Sequence, residues 1–323
     1  MNPEIARRLE QLEKKYEAMG QDMASYLDGL LFSNYLTYWE YIHLDQLLSL
    51  QHPKTDFPDE KIFIMYHQVT ELYFKLCLHE LEQIAHNGRN VLPTGQDLGW
   101  NEKLSLNFFI ERLLRINRYF EALTKSFDIM VDGMEPNQFL LFRMALLPAS
   151  GFQSAQYRMI EICATDFINL VDHNERKRFE QKSSSISEMF EFIYWKRGAT
   201  EAETGKKTLT LKQFEKKYSA HLINLATEYQ DKNLRAKYRS MNEKDQKNPD
   251  LIYQLRELDK NVNVRWPSVH LKSAARYLRR EKGNIQATGG TNWQKYLPPK
   301  LQRRIFYPEL WNESELNEWG SPE

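Results

Sequence analysis

Apolar residues recur along this chain at intervals of three and four almost everywhere, and no stretch alternates convincingly with a period of two, so the pattern predicts helices throughout. Ile5, Leu9, Leu12, Tyr16 and Met19 form an amphipathic stripe suited to an N-terminal arm, about residues 1–35, or to a subunit contact. A second helix is expected from Thr37 to Leu50, followed by a turn through His52, Pro53 and Pro58. Asp56 and Pro58 then open a long helix that Asn87 and Gly88 end. On it Ile62, Met65, Val69, Leu72 and Leu76 make one apolar stripe, while Phe63, His67, Thr70, Phe74 and Cys77 make another. Two stripes predict a helix buried most of the way round.

Helical spacing continues from Glu102 to Met130, from Pro136 to Leu147 and, after "PASG", from Gln153 to Val171. Leu251, Leu255, Leu258 and Val262 stay in register up to Trp266 and Pro267, and Pro267 predicts a fresh helix start with His270 in its first turn. The polar runs 172–184 and 198–208 and the charge-rich run 230–249 mark a peripheral insertion of about 172–249. There is no tandem repeat. The expectation is a single all-α domain over 1–323, a helical bundle with a peripheral helical insertion.

Charge narrows the choice of partners. Lys plus Arg and Asp plus Glu both number 44, and the two signs are interspersed, which argues against a nucleic-acid-binding protein. No window approaches the roughly 18 apolar residues of a membrane span. The two cysteines, Cys77 and Cys163, form no CxxC pair, and a soluble, cytoplasmic protein is expected. Aromatic residues make up 13 % of the chain, enough to fill a helical core or to line a pocket for a flat ligand.

Among the eight histidines there is no HExxH, and His79-Glu80 lacks the second histidine one turn on, so a zinc hydrolase is poorly supported. His67 lies mid-helix within "YHQVTELYFK", where an imidazole needs either a structural partner or a ligand. The bland reading of His67 and His270 is a hydrogen-bonded core residue, the sharp one a ligand to metal or substrate. Arg143 sits on an otherwise apolar helix, paired to an acid or offering its fork to a ligand carboxylate. Glu71 and Glu80 are acid–base candidates only if they escape ion pairing. From the residues alone, the chain is a helical protein with an aromatic-lined polar pocket.

Taken in order, six segments resemble the tryptophan 2,3-dioxygenase family: "LTYWEYIHLDQLLSLQ" (36–51), "DEKIFIMYHQVTELYFKLCLHEL" (59–81), "FRMALLPASGFQSAQYRMIE" (142–161), Trp266 with His270, "ATGGTNWQKYL" (287–297) and "FYPELW" (306–311). The resemblance implies haem b, ferrous when active, with His270 as the proximal iron ligand. It implies L-tryptophan and O₂ as substrates, both oxygen atoms entering across the indole C2=C3 bond to give N-formyl-L-kynurenine. By the same resemblance His67 is the distal, catalytic histidine, and Phe63, Ile64, Met65, Tyr66 and His67 form a strip lining the substrate and haem pocket. Arg143 pairs the substrate carboxylate, Thr288 lies near the ammonium group, and Phe139 takes a position filled by tyrosine or phenylalanine. Tyr38, Tyr41 and Ile42 reach a neighbouring subunit's pocket, implying a homotetramer.

Three departures from the family pattern stand out. The segment from His270 to Thr288 is about one helical turn longer than in better-known members. Pro267 replaces a helix-compatible residue, and Trp293 stands where glycine is usual after the TGG motif. Two rival readings follow: a haem mono-oxygenase or hydroxylase of another indole or aromatic amino acid, and a non-catalytic haem-binding or helical interaction protein. The number of oxygen atoms in the product separates the first rival, and failure to take up haem would favour a scaffold.

Overall fold

The computed structural model describes residues 1–33, 36–146, 151–180, 184–200, 206–280, 283–284, 294 and 297–321. The chain divides into two compact units, Met1–His52 and Pro53–Glu323. In the first, α1 (Pro3–Ala18) and α2 (Met23–Phe32) are capped by the carboxamide of Asn2 and the carboxylate of Asp22, and the Tyr16 and Tyr26 rings meet at 4.6 Å. The expected helix from Thr37 to Leu50 is broken in two, α3 (Tyr38–Tyr41) and α4 (Leu44–Leu48). His43 between them adopts a left-handed backbone with φ 51°, which no helix can carry through. None of these four helices buries a residue, although Leu30, Leu31 and Phe32 are large and apolar.

The second unit is organised on α5 (Pro58–Ala85), which packs on α6 (Leu106–Ser126) and α9 (Ala155–Ala164). Its end is as predicted: Asn87 and Gly88 both take positive φ, and a Cβ on Gly88 would lie 2.9 Å from the Phe108 ring. The buried side of α5 carries Tyr66, Thr70, Phe74, Cys77, Leu81 and Ile84, which meet Phe109, Leu113, Ile116, Phe120 and Leu123 of α6 in one core. Of the other predicted stripe only Ile62 is half-buried against the core. Met65, Val69, Leu72 and Leu76 are between 42 % and 49 % exposed in the single chain.

Between α5 and α6 the chain forms a hairpin of β1 (Arg89–Val91) and β2 (Asp97–Trp100) that the sequence pattern does not announce. Arg89 and Asp97 pair across it, and its strands lie almost wholly exposed, so no buried face imposes alternation. After α7 (Asp128–Asp132) and α8 (Pro136–Phe142) the chain tightens into a 3₁₀ turn, Arg143–Leu146.

Segment 172–249 contributes α10 (Lys177–Glu180), α11 (Ile186–Phe190), α12 (Tyr194–Gly198), α13 (Leu209–Glu228), α14 (Leu234–Ser240) and α15 (Glu243–Gln246). It buries Trp195, Phe214 and Leu222 in the common core, so its charge-rich runs cover a packed interior.

The last long rod comprises α16 (Pro249–Lys260), a π-helical turn at Asn261–Arg265 and α17 (Trp266–Leu278). Pro267 therefore does not start a helix, and His270 lies inside a continuous rod instead of in a first turn. Asp259 ties this rod to the C-terminal "FYPELW" segment. Its carboxylate accepts from the backbone N–H groups of Phe306 and Tyr307 at 3.0 and 3.2 Å, from Trp311 Nε1 at 3.0 Å and from Asn263 Nδ2 at 2.7 Å.

Burial pushes the Asp259 carboxyl up to about 6 against the pull of those four donors. The folded protein then binds this proton more tightly than the unfolded chain does, so the group's contribution to stability falls as pH rises from about 4 to 6. Asp259→Asn cannot titrate there. Relative to it, the unfolding free energy of the unsubstituted protein is predicted to decline by about 3 kcal/mol across that interval and to level off above it, measured by denaturant titration at each pH. A difference that grows with pH would contradict this.

Candidate active site

α5 presents Phe63 and His67 on one face because they are four residues apart, and their rings lie 4.1 Å from each other. The same spacing lets His67 Nδ1 bond the Phe63 carbonyl at 2.7 Å. A carbonyl only accepts, so in the neutral ring the proton is on Nδ1 and Nε2 carries the lone pair. Neutrality is favoured: burial lowers the His67 pKa, and the Phe63 carbonyl and the Glu71 charge only partly oppose this.

α17 repeats the device. His270 Nδ1 bonds the Trp266 carbonyl at 2.9 Å, again four residues back, leaving Nε2 as the free lone pair. Burial pushes its pKa down to about 4 against the opposing bond to the Trp266 carbonyl, with the positive charge of Arg158 acting in the same direction as burial. Neither Nε2 has a hydrogen-bond partner among the described residues.

Aromatic rings connect the two histidines through Tyr66, which lies 6.5 Å from His67 and 5.7 Å from Phe127. Phe63 lies 6.3 Å from Phe139 of α8, whose ring lies 4.6 Å from Tyr277 of α17. On the other side Phe127, at the end of α6, stands 4.4 Å from His270 and 5.1 Å from Trp266. Asp59, at the start of α5, accepts the Glu135 N–H at 2.6 Å, and its own N–H donates to Gln138 at 3.3 Å. These bonds dock the start of α8 on the start of α5. They bring Phe139 to the Phe63 face, and Arg143 follows one turn later, buried at the start of the 3₁₀ turn. Burial lowers the Arg143 pKa, yet a guanidinium keeps its charge.

The consecutive strip Phe63, Ile64, Met65, Tyr66 and His67 does not line one surface, since successive helical residues point about 100° apart. Phe63 and His67 share the site face, and Ile64 is half-buried. Met65 belongs to the exposed stripe. Tyr66 turns into the core, where its hydroxyl bonds the Leu123 carbonyl at 3.2 Å and Ser126 Oγ at 3.1 Å. Tyr38, Tyr41 and Ile42 belong to the N-terminal unit, where Tyr38 and Tyr41 are 70 % and 74 % exposed. Thr288, with the "ATGG" segment and Trp293, lies outside the described residues, as does most of "PASG".

Glu71 and Glu80 are already engaged. Glu80 accepts from Arg112 at 3.0 Å and Tyr119 at 3.3 Å, and Glu71 accepts from Gln156 Nε2 at 2.8 Å while the same nitrogen donates to the Glu71 carbonyl at 2.9 Å. Gln156, Phe127 and Tyr277 are site neighbours that pattern reasoning does not single out. For Gln156 the available signal is its place in "SGFQSAQYR".

No group of three or more His, Cys, Asp or Glu suited to a metal ion occurs among the described residues. A metal held by His270 would therefore bring its other ligands with it, as the iron of a haem does. A locked Nε2 among the rings of Phe127 and Trp266 fits such a group.

A sequence profile of the tryptophan 2,3-dioxygenase family matches residues 29–232. The chain belongs to the tryptophan 2,3-dioxygenase family. A Ruegeria pomeroyi protein called tryptophan 2,3-dioxygenase is 30 % identical over 86 % of this chain and 91 % of its own length. A protein of that name from Bacillus thuringiensis is 29 % identical over 87 % and 92 %, and one from a Ruegeria sp. is 41 % identical over 44 % of each chain. The family match includes Phe63, His67, Phe139 and Arg143 and ends before His270.

Gln156→Leu strips two acceptors of their donor while keeping the side-chain bulk. The variant is predicted to lower the unfolding free energy by about 1–3 kcal/mol in denaturant titrations, and a loss within experimental error would show that this α5–α9 tie carries nothing.

Proposed function

We propose that this protein cleaves the indole C2=C3 bond of L-tryptophan with O₂, giving N-formyl-L-kynurenine, and that it uses haem b with His270 as the axial ligand. One observation carries the reading. Two histidines on different helices are each held by a carbonyl of their own helix so that Nε2 is free, and aromatic rings pack against both. The rival reading as a mono-oxygenase of another aromatic has no observation of its own in its favour.

When bound, the haem supplies the reduced iron that activates O₂. The protein's side chains do the rest. Arg143 pairs with the substrate carboxylate through its fork, and Thr288 contacts the ammonium group. Phe63 and Phe139 confine the indole plane and exclude water. His67, protonated at Nδ1, offers Nε2 as the acceptor for the indole N–H. Both oxygen atoms enter the product, so the reaction balances without an added reductant.

The assembly we propose is a homotetramer in which Tyr38, Tyr41 and Ile42 enter a neighbouring subunit's pocket. The exposure of Tyr38 and Tyr41 supports it, and so does the open apolar stripe on α5, which a monomer would leave in water. No helix among the described residues is long and apolar enough to cross a membrane. Cys77 and Cys163 are buried free thiols whose pKa burial pushes up, consistent with a cytoplasmic setting.

Two substitutions test the reading. Arg143→Ala is predicted to weaken kcat/KM for L-tryptophan by about 2–5 kcal/mol, and to leave binding of tryptamine, which lacks the carboxylate, nearly unchanged. Equal losses for both ligands would remove Arg143 from carboxylate recognition. His270→Ala is predicted to purify without haem and to show no histidine-ligated Soret spectrum on reconstitution, and an unchanged spectrum would refute the axial assignment.

A further inference from the structure

Pro267 lies within a continuous helical run from Pro249 to Leu278. There a proline deletes one donor, and its ring presses on the carbonyl four residues back. The chain accommodates it with the π turn at Asn261–Arg265, in which the Trp266 N–H reaches back five residues to the Asn261 carbonyl. In that pattern the next donor, residue 267, would serve the Val262 carbonyl. Proline has no N–H to give. Val262 is fully buried, so an orphaned carbonyl would have no water to turn to.

Tyr157 supplies the missing bond. From α9 its hydroxyl donates to the Val262 carbonyl at 2.8 Å. The hydroxyl oxygen in turn accepts from Arg304 Nη2 at 3.3 Å, and Arg304 is anchored on the buried carboxylate of Glu161, which also holds Arg158 at 3.2 Å. The Tyr157 ring lies 5.5 Å from Phe74, Phe74 meets Trp266 edge-on at 5.8 Å, and Trp266 stands 4.5 Å from the His270 ring. Hydroxyl and ring thus both bear on the turn that leads into His270.

We infer that Tyr157 is a positioning residue for His270: its hydroxyl replaces the backbone donor that Pro267 removes, fixing the π turn and hence the direction in which His270 presents Nε2. This rests on the reading of His270 as the haem ligand, and the experiments below separate the two.

Tyr157→Phe, Pro267→Ala and the double variant are compared as haem-loaded proteins. In reduced Tyr157→Phe the iron–histidine stretching band in resonance Raman spectra is expected to shift, and haem transfer to apomyoglobin to speed up by about tenfold. In the double variant an N–H is restored at position 267, so band and rate are expected to return to within about threefold of the unsubstituted protein. In the haem-free proteins, hydrogen exchange at the amides of residues 264–266 and 268 is expected to quicken in Tyr157→Phe and to recover in the double variant. An unchanged band and rate in Tyr157→Phe would overturn the inference, even if exchange responds. A double variant as impaired as the single one would overturn it too, because the role would then belong to Arg304 or to ring packing. Retention of a histidine-ligated spectrum by His270→Ala would instead defeat the haem reading and leave the exchange result standing.

Discussion

Both site histidines are held by the carbonyl four residues back on their own helix, and the rest of the site depends on that bond. A helix places residue i−4 directly beneath residue i, so the restraint needs no additional residue. It fixes the proton on Nδ1, opposes ring rotation and leaves Nε2 as a lone pair. Burial then keeps both rings neutral. The proposed function gives this one geometry two roles, an acceptor for a substrate N–H on α5 and a ligand for iron on α17.

Two such helices are useful only if they are held in register. Asp59 docks the start of α8 on the start of α5, and this brings Phe139 to the Phe63 face. Gln156 ties α9 to α5 at Glu71, while Asp259 gathers the C-terminal segment onto the rod that carries His270. Each tie is a charged or amide group with several partners, and each lies away from the reacting atoms. The apolar stripe on α5 and the rings of Tyr38 and Tyr41 stay exposed in the single chain, and the proposed homotetramer would cover them.

Much of this was legible in the sequence. The long helix from Pro58, its end at Asn87 and Gly88, and the shared face of Phe63 and His67 all follow from spacing and from residues with distinct backbone preferences. Which of the two α5 stripes is buried did not follow, because both are apolar and periodicity gives faces without saying what covers them. The break at His43 was hidden because a left-handed histidine carries no sequence signature. The hairpin at 89–100 was hidden because its strands have no buried face. Pro267 was misread for a physical reason: proline is most at home in a first helical turn, and nothing in the local sequence announces a π turn that tolerates it inside a rod. The roles of Thr288 and Tyr38 came from resemblance alone, and resemblance chose between the two readings of Arg143. That same source supplied the strip 63–67, which helical geometry divides between site, core and surface.

The most direct test of the central claim is to load the protein with haem, reduce it, add L-tryptophan under ¹⁸O₂ and weigh the product before any deformylation. The account predicts a ring-opened product in which both oxygen atoms from O₂ are labelled. A product with one labelled oxygen and an intact ring, or tryptophan recovered unreacted from a histidine-ligated ferrous protein, would contradict it.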